Sequence, residues 1–294
     1  MISRRSFTVP LPGREPLRLG ARTLVMGILN ITPDSFADGG LHFDVDRAVD
    51  AGVRMAADGA DIIDVGGEST RPGAAQVGER EEMRRVLPVI ERLASRVTVP
   101  ISIDTYKAAV ARESIAAGAT IVNDISGLQF EPALGRVAAE TGAALVLMHT
   151  RGRSDEMNSL AEYTDVIAEV IGEMRQAMAR ARAQGVADES LILDPGVGFA
   201  KKAAHSISVL AQLDALAALN RPILSGPSRK SFLKAAIGER APAEREWGTA
   251  AAITASVLLG AHIVRVHGVR EMFDVVRVAD LIREARVLRP PPGP

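Results

Sequence analysis

Arg265 and His267 stand two residues apart in the apolar run Ile263-Val264-Arg265-Val266-His267. In a β-strand that spacing puts both on one face, with Val264 and Val266 on the other. Two potential cations on a buried face are expensive unless they meet an anion, so the pair predicts an anion site. A second cationic element is Ser225-Gly226-Pro227-Ser228-Arg229-Lys230-Ser231, which turns into a helix. Its glycine spacing is not that of a P-loop. It sets Ser231 near a helix N-terminus, where free N–H groups and the dipole stabilise a carboxylate, and Lys230 brings a charge to the same place. Acidic and amide groups end other apolar runs. Ser102 and Asp104 share one strand face, as do Ile192 and Asp194, whereas only one of the adjacent Asn123 and Asp124 can point inward. An inward carboxylate in apolar surroundings needs a partner. An amino-pyrimidinone edge, with adjacent N–H donors, would satisfy Asp194 in bidentate fashion. A salt bridge inside the protein is the competing account of each Asp.

Two loops carry further candidates. Asn30 opens Asn30-Ile31-Thr32-Pro33-Asp34-Ser35-Phe36-Ala37-Asp38-Gly39-Gly40, a long Gly/Asp-rich segment that predicts a lid. Asn30 offers an amide oxygen to a hard cation, and Asp34 and Asp38 suit a cation or a developing positive charge. A solvated loop with an Asx-turn is the alternative. In Gly66-Gly67-Glu68-Ser69-Thr70-Arg71-Pro72-Gly73-Ala74, the two glycines allow close backbone approach to a ligand. Arg71, between Thr70 and Pro72, suits an anion or an aromatic acid. The chain has 0 cysteines, which excludes disulfides, thiolate zinc sites and a cysteine nucleophile. There is no His-Glu-x-x-His. His42, His205 and His262 read as surface or capping residues, His149 is open between roles, and Met148 lines the core or a pocket.

These groups need a frame that gathers strand ends. Short apolar runs supply it at Leu24–Ile31, Asp61–Gly66, Pro100–Asp104, Ile121–Ile125, Ala144–His149, Leu191–Asp194, Pro222–Ser225 and Ile263–His267. Amphipathic Ala-rich stretches follow them, beginning near Asp44, Glu79, Lys107, Glu131, Leu160, His205, Glu244 and Arg270. Continuous apolar strands alternating with helices predict a parallel sheet covered by helices. Eight such units predict an α/β fold of the closed (β/α)8 TIM-barrel class, one domain over residues 1–288. No Gly-x-Gly-x-x-Gly follows the first strand, as an open dinucleotide-binding sheet would favour. Ser6–Leu19 predicts an N-terminal β-hairpin capping the barrel bottom, and residues 289–294, nearly all Pro and Gly, predict a disordered tail. Most strand ends are polar: Asn30, Asp64, Asp104, Asn123, His149, Asp194, Ser225 and His267. In a barrel these gather at the C-terminal rim, where such enzymes carry out their chemistry.

Composition narrows the partners. A formal net charge of -1 argues against nucleic acid or an anionic membrane surface, and 3% aromatic residues argue against base-stacking platforms. No apolar run approaches the roughly 20 residues that span a bilayer, and no signal peptide is read after Met1-Ile2-Ser3-Arg4-Arg5. The expectation is a cytoplasmic enzyme of small molecules.

The motifs LNITPDSFADGG, GGESTRPGA, SIDTYK, VNDISG, LMHTRG, LDPGVGF, SGPSRKSF and RVHGV resemble those of the dihydropteroate synthases, in that family's order, from Leu24 to about Ile282. The resemblance implies a homodimeric transferase of folate biosynthesis, a sulfonamide target, acting on 6-hydroxymethyl-7,8-dihydropterin diphosphate and p-aminobenzoate with Mg²⁺. Carried over by motif, Asp104, Asn123, Asp194 and Lys230 resemble the pterin-binding set, with Met148 beside them, and Asn30 the Mg²⁺ and diphosphate contact. Arg71, Arg265 and His267 resemble the diphosphate anchors, Arg265 also stacking on the pterin. Thr70, Pro72, Phe199, Arg229 and Ser231 resemble the p-aminobenzoate site, and Asp38 and Phe36 the lid over it. Asp38, Arg265 and His267 are the implied catalytic residues. The related corrinoid-dependent methyltransferases share a pterin-binding barrel but need neither the Ser-Arg-Lys-Ser turn nor the cation pair. Two positions depart from the family's usual pattern: Gly198-Phe199-Ala200-Lys201-Lys202 stands where Gly-Phe-Gly-Lys-Asn is common, and Gly268 where Asp is common.

Overall fold

The computed structural model describes residues 4–31, 41–69 and 76–287. The tail beyond Val287, the lid residues Asp34, Phe36 and Asp38, and Thr70, Arg71 and Pro72 lie outside the described residues. A two-stranded antiparallel hairpin, β1 (Phe7–Leu11) and β2 (Arg14–Leu19), precedes the barrel. Eight parallel strands follow: β3 (Leu24–Asn30), β4 (Ile62–Gly66), β5 (Ile101–Asp104), β6 (Ile121–Asp124), β7 (Ala144–Met148), β8 (Leu191–Asp194), β9 (Leu224–Ser225) and β10 (Ile263–Val266). Their order is β8-β7-β6-β5-β4-β3-β10-β9, and a parallel bridge from Leu193 to Ile223 joins the two ends. The expected (β/α)8 barrel with its hairpin is therefore the fold.

The pleat explains the two apolar clusters. One residue of each pair faces the helices: Ile63, Val65, Ile103, Val122, Leu145, Leu193 and Val264 join the outer core. Helix α2 (Glu79–Ala94) meets it with Val86, Val89, Ile90 and Leu93 at helical spacing. The alternate residues fill the bore. Met26, Ile62, Ile121, Val146, Ile192, Leu224 and Ile263 form its lower layer, and the hairpin plugs it from below with Val9, Leu11, Leu17 and Leu19. Two residues further along six of these strands stand Asp64, Asn123, Met148, Asp194, Gly226 and Arg265. The lower half of the bore is thus hydrocarbon, and its upper half is mostly polar.

A buried ion pair fastens the bottom. Arg4 donates to Gly20 O at 3.0 Å, Thr23 Oγ1 at 2.6 Å and Ala261 O at 2.7 Å, and reaches Asp280 at 3.3 Å. Asp280 belongs to helix α9 (Val269–Val287) and also accepts from Thr23 N at 2.6 Å. Removing one partner of such a buried pair costs about 3–5 kcal/mol.

Several expectations shift. His262 is not a surface residue: its ring is buried, Nδ1 accepts from Ile223 N at 3.1 Å, and Nε2 donates to Arg5 O at 3.0 Å. Burial lowers its pKa to about 4. The helix expected near Leu160 begins at Val166 (α5, Val166–Ala183), because Asp165 caps it by accepting from Ile167 N and Ala168 N. The strand expected from Pro222 starts at Leu224. Pro222 has no N–H to donate and contributes only its carbonyl, to Leu193 N at 2.9 Å.

Candidate active site

Arg265 rises from β10 into the upper bore. Its Nε donates to Asp64 Oδ2 and its Nη2 to Asp104 Oδ2, each at 2.6 Å. Asp64 Oδ2 also accepts from Asn123 Nδ2 at 3.0 Å. Four strand ends are thereby tied across the barrel by one guanidinium. Burial works against the charge of Arg265, and the two carboxylates more than restore it, so its pKa is raised. Burial pushes Asp104 up to about 7 against the pull of Arg265, with Asp64 adding to the rise. The salt-bridge account of Asp104 is therefore the one realised. Arg265 is thus paired within the protein before any external anion arrives. Asp64 is a site residue that sequence reasoning passed over, although its place as a polar strand end was visible. Among the described residues, Asp64 Oδ1, Ser102 Oγ and Asp104 Oδ1 are buried beside this fork with no hydrogen-bond partner.

Above it opens a cleft bordered by Asn123, Met148, Asp194, Phe199, Lys230 and Arg265, all expected, and by Ile125, Gly196, Val197 and Gly226. Asp194 Oδ1 accepts from Gly196 N at 2.7 Å. Burial raises the Asp194 pKa, opposed by that hydrogen bond and by Lys230, Arg265 and Lys201. A Cβ on Gly226 would lie 3.9 Å from Asp194 Oδ2, so the missing side chain keeps this approach open. Because Asn123 spends its Nδ2 on Asp64, its Oδ1 is the acceptor left for a ligand. Asp124 is the outward neighbour and accepts from Ser126 N at 2.8 Å and Leu128 N at 2.6 Å. Lys230 Nζ sits 3.8 Å from the centre of the Phe199 ring. A flat, polar-edged ligand therefore meets two acceptors, an aromatic face and two cations.

The other expected residues flank the cleft. Asn30 ends β3; a Cβ on Gly66 would be 3.8 Å from its Oδ1 and 3.7 Å from Asp104 Oδ2, so glycine keeps this corner clear. His267 lies just past Val266, and its Nδ1 is 3.0 Å from Ser228 Oγ. Arg229 and Ser231 do not border the cleft: the Arg229 guanidinium pairs with Glu246 of helix α8 (Glu246–Leu258), and Ser231 is exposed. Both departures from the usual pattern have local explanations. Ala200 takes φ 45°, in the region that favours glycine and costs other residues roughly 1–2 kcal/mol; the Tyr163 hydroxyl donates to Ala200 O at 2.9 Å and holds it there. At Gly268, a Cβ would lie 3.1 Å from Glu271 Oε2 and 3.6 Å from Glu246 Oε1, a poor place for a further carboxylate.

Residues 26–267 match the family of pterin binding enzymes. A dihydropteroate synthase of Synechocystis sp. is 48% identical over 281 residues, covering 94% of this chain and 96% of that protein. Among solved structures, the Xanthomonas albilineans dihydropteroate synthase with 4-aminobenzoic acid aligns with a TM-score of 0.86 at 40% identity, over 96% of this chain and all of that one. The Yersinia pestis dihydropteroate synthase, in a sulfonamide drug complex, aligns with a TM-score of 0.87 at 42% identity, over 95% of this chain and 100% of that one.

If the fork holds the upper bore together, Asp64→Ala leaves the buried Arg265 Nε and the Asn123 amide without their acceptor. The expected loss in urea denaturation is about 3–5 kcal/mol. Asp50→Ala, which removes the exposed pair with Arg96, should change stability by less than about 1 kcal/mol. Equal, small changes in both variants would remove the fork from its structural role.

Proposed function

We propose how this chain works from one fact: it belongs to the pterin-binding enzymes, in the dihydropteroate synthase family. Its reaction joins 6-hydroxymethyl-7,8-dihydropterin diphosphate to p-aminobenzoate, giving 7,8-dihydropteroate and diphosphate. The observation that supports the site reading best is the pair of acceptors on the cleft wall. Asp194 has one oxygen tied to Gly196, and Asn123 has its amide nitrogen tied to Asp64, so each directs an acceptor role at the ligand. The amino-pyrimidinone edge of a pterin presents the matching N–H donors. Met148, Ile125 and Phe199 supply apolar walls for its rings.

In the chemical step, the lone pair of the aryl amine forms a bond to the pterin methylene carbon. The carbon–oxygen bond breaks and its electrons leave with diphosphate; the amine then loses a proton. The dihydropterin ring delocalises positive charge that develops on the carbon. An aryl amine is neutral at physiological pH, so the enzyme's task is orientation and charge stabilisation in place of strong base catalysis. Arg265 is preorganised for this: its Nε and one Nη are spent on Asp64 and Asp104, and its orientation is set before substrate arrives. Lys230 lies over Phe199 at the same wall. Asp38, Arg71, Thr70 and Pro72 complete the p-aminobenzoate and diphosphate contacts in this reading, with His267 at the rim. Ser231, exposed on the same turn, joins them, and Arg229 does so only on leaving Glu246.

Mg²⁺ fits as a companion of the diphosphate. Among the described residues no group of three or more His, Cys, Asp or Glu could hold a metal. Asn30 offers one hard oxygen at a corner that Gly66 leaves clear. One protein ligand plus substrate phosphates is a usual arrangement for this ion, and when bound it offsets charge growing on the leaving group.

The homodimer is supported by helix α9, where Val278, Leu281 and Ile282 are 57%, 65% and 46% exposed, a one-sided apolar stripe, and by Trp247 of the neighbouring α8, which is 87% exposed. No helix among the described residues is long and apolar enough to cross a membrane. A cytoplasmic site is supported by the charge of the diphosphate substrate, which does not cross a bilayer unaided.

Three experiments test these readings. Diphosphate release should require both substrates, and Asp194→Asn, which puts a donor opposite ligand donors, should weaken pterin binding roughly tenfold or more, about 1–3 kcal/mol, with the fold retained in a thermal melt. Unchanged affinity removes Asp194 from the site. Calorimetry should show weak Mg²⁺ binding to the free enzyme and much tighter binding with diphosphate present; tight binding to the free enzyme excludes the shared site. Sedimentation should give a dimer for the native chain and a monomer for Leu281→Glu, and a native monomer would overturn the dimer.

A further inference from the structure

We infer that Lys201 is a positioning residue of the cleft: its ammonium clamps the loop between β8 and helix α6 (Ala203–Ala211), and so sets Asp194 and Phe199. The inference rests on the reading of this cleft as the pterin site.

Lys201 is buried at 8% exposure, and its Nζ has three acceptors at hydrogen-bond distance. They are His149 Nδ1 at 2.8 Å, Gly196 O at 3.1 Å and Phe199 O at 3.1 Å. An ammonium carries three N–H donors and no acceptor, so the side chain is fully used by this one loop and the end of β7. Two of those three contacts fall on residues that form the cleft. Gly196 is the residue whose N–H fixes Asp194 Oδ1, and Phe199 is the aromatic wall under Lys230. Phe199 N also donates to Gly196 O at 3.0 Å, closing a tight turn that the Lys201 ammonium caps. The turn has no room to drift: Gly196 has φ 66°, and a Cβ there would come within 2.0 Å of His149 O.

The partner of Lys201 is itself held. His149 accepts at Nδ1, so its Nε2 carries the proton and donates to Glu173 Oε2 at 3.0 Å. Burial, with Lys201 beside it, lowers the His149 pKa to about 4, in keeping with a neutral ring. Glu173 binds Arg151, whose guanidinium lies 4.0 Å from the Tyr163 ring centre. Tyr163 returns to the same loop through its hydroxyl, which donates to Ala200 O. Lys201, His149, Glu173, Arg151, Tyr163 and Ala200 thus form a closed ring of contacts behind the cleft wall. None of them has a contact with Arg265 or its two carboxylates. Burial, with Arg151 and Lys230 adding to it, brings the Lys201 pKa down to about 7, while Asp194 and Glu173 favour the charge.

The test compares Lys201→Met, which keeps the length and removes every donor, with Lys201→Gln, which restores two. Lys202→Met, on the exposed neighbour paired with Glu162, is the control. The expected result is a tenfold or larger rise in KM for the pterin diphosphate, and a rise for p-aminobenzoate, in Lys201→Met. Lys201→Gln should be intermediate and Lys202→Met unchanged. A purely structural lysine would lower the melting temperature and leave KM per folded molecule alone, and that outcome overturns the inference. Should Lys201→Met not fold, the same criterion applies to Lys201→Gln. Hydrogen exchange on the native chain decides independently: amides of 196–200 should be protected like those of β8, and exchange at open-loop rates overturns the clamp. Asp194→Asn separates the two levels. If it weakens pterin binding while Lys201→Met does not, only the clamp falls; if it binds pterin normally, the cleft reading fails and takes the clamp with it.

Discussion

The upper half of the barrel depends on the charge of one guanidinium. Arg265 stands between Asp64 and Asp104 in a bore whose lower half is hydrocarbon. Without it, the buried carboxylates of Asp64 and Asp104 on neighbouring strands would repel each other, and Asp64, which orients the Asn123 amide, would lose the cation that holds it. Such a group is expensive to bury and more expensive to unpair. Its presence is better explained by what it holds than by net stability: three strand-end side chains in fixed rotation, before any substrate binds. Preorganised charge of this kind needs no rearrangement as charge develops in the reaction.

The rest of the architecture keeps that charge where it is useful. The hairpin fills the bore from below with Val9, Leu11, Leu17 and Leu19, so the polar layer can be reached only from the strand C-terminal side. Among the described residues, cations and carboxylates stand together around the cleft. Asp64, Asp104 and Asp194 stand with Arg265, Lys230 and Lys201, and each Asp194 or Lys201 charge eases the burial of the other. A ligand that brings neutral N–H donors at one end and a diphosphate at the other disturbs this balance least where its donors meet Asp194 and its anion meets the rim.

Backbone strain gathers at the same end. Ala200 and Arg229 both take positive φ, in the loops after β8 and β9. Each is held by specific bonds: Tyr163 to Ala200 O, and Thr249 and Arg245 to the Arg229 backbone at 3.0 and 2.8 Å. Strain persists where surroundings over-determine it, and here those surroundings shape the cleft wall and the turn that carries Lys230.

The sequence by itself determined the period-two alternation, and with it the barrel. Apolar runs of strand length, each followed by a helical stretch, leave few other folds, and the same alternation assigned Asp194 and Arg265 to one face and Val264 and Val266 to the other, while leaving Asn123 and Asp124 as alternatives. What each polar strand end does once inside was decided only by closure of the barrel. Strand period says that Arg265 points inward; it does not say that Asp64, 201 residues away in the chain, will be 2.6 Å from it. Strand period therefore leaves open whether the anion that Arg265 meets lies outside the protein or within it, and it does not single out Asp64. His262 and Lys201 were hidden for a related reason. Their character comes from burial by distant segments, the hairpin in one case and β7 with the β8–α6 loop in the other. Local pattern carries a side chain's direction, because the pleat sets it, whereas its partner and its ionisation depend on which strands become neighbours when the ring closes.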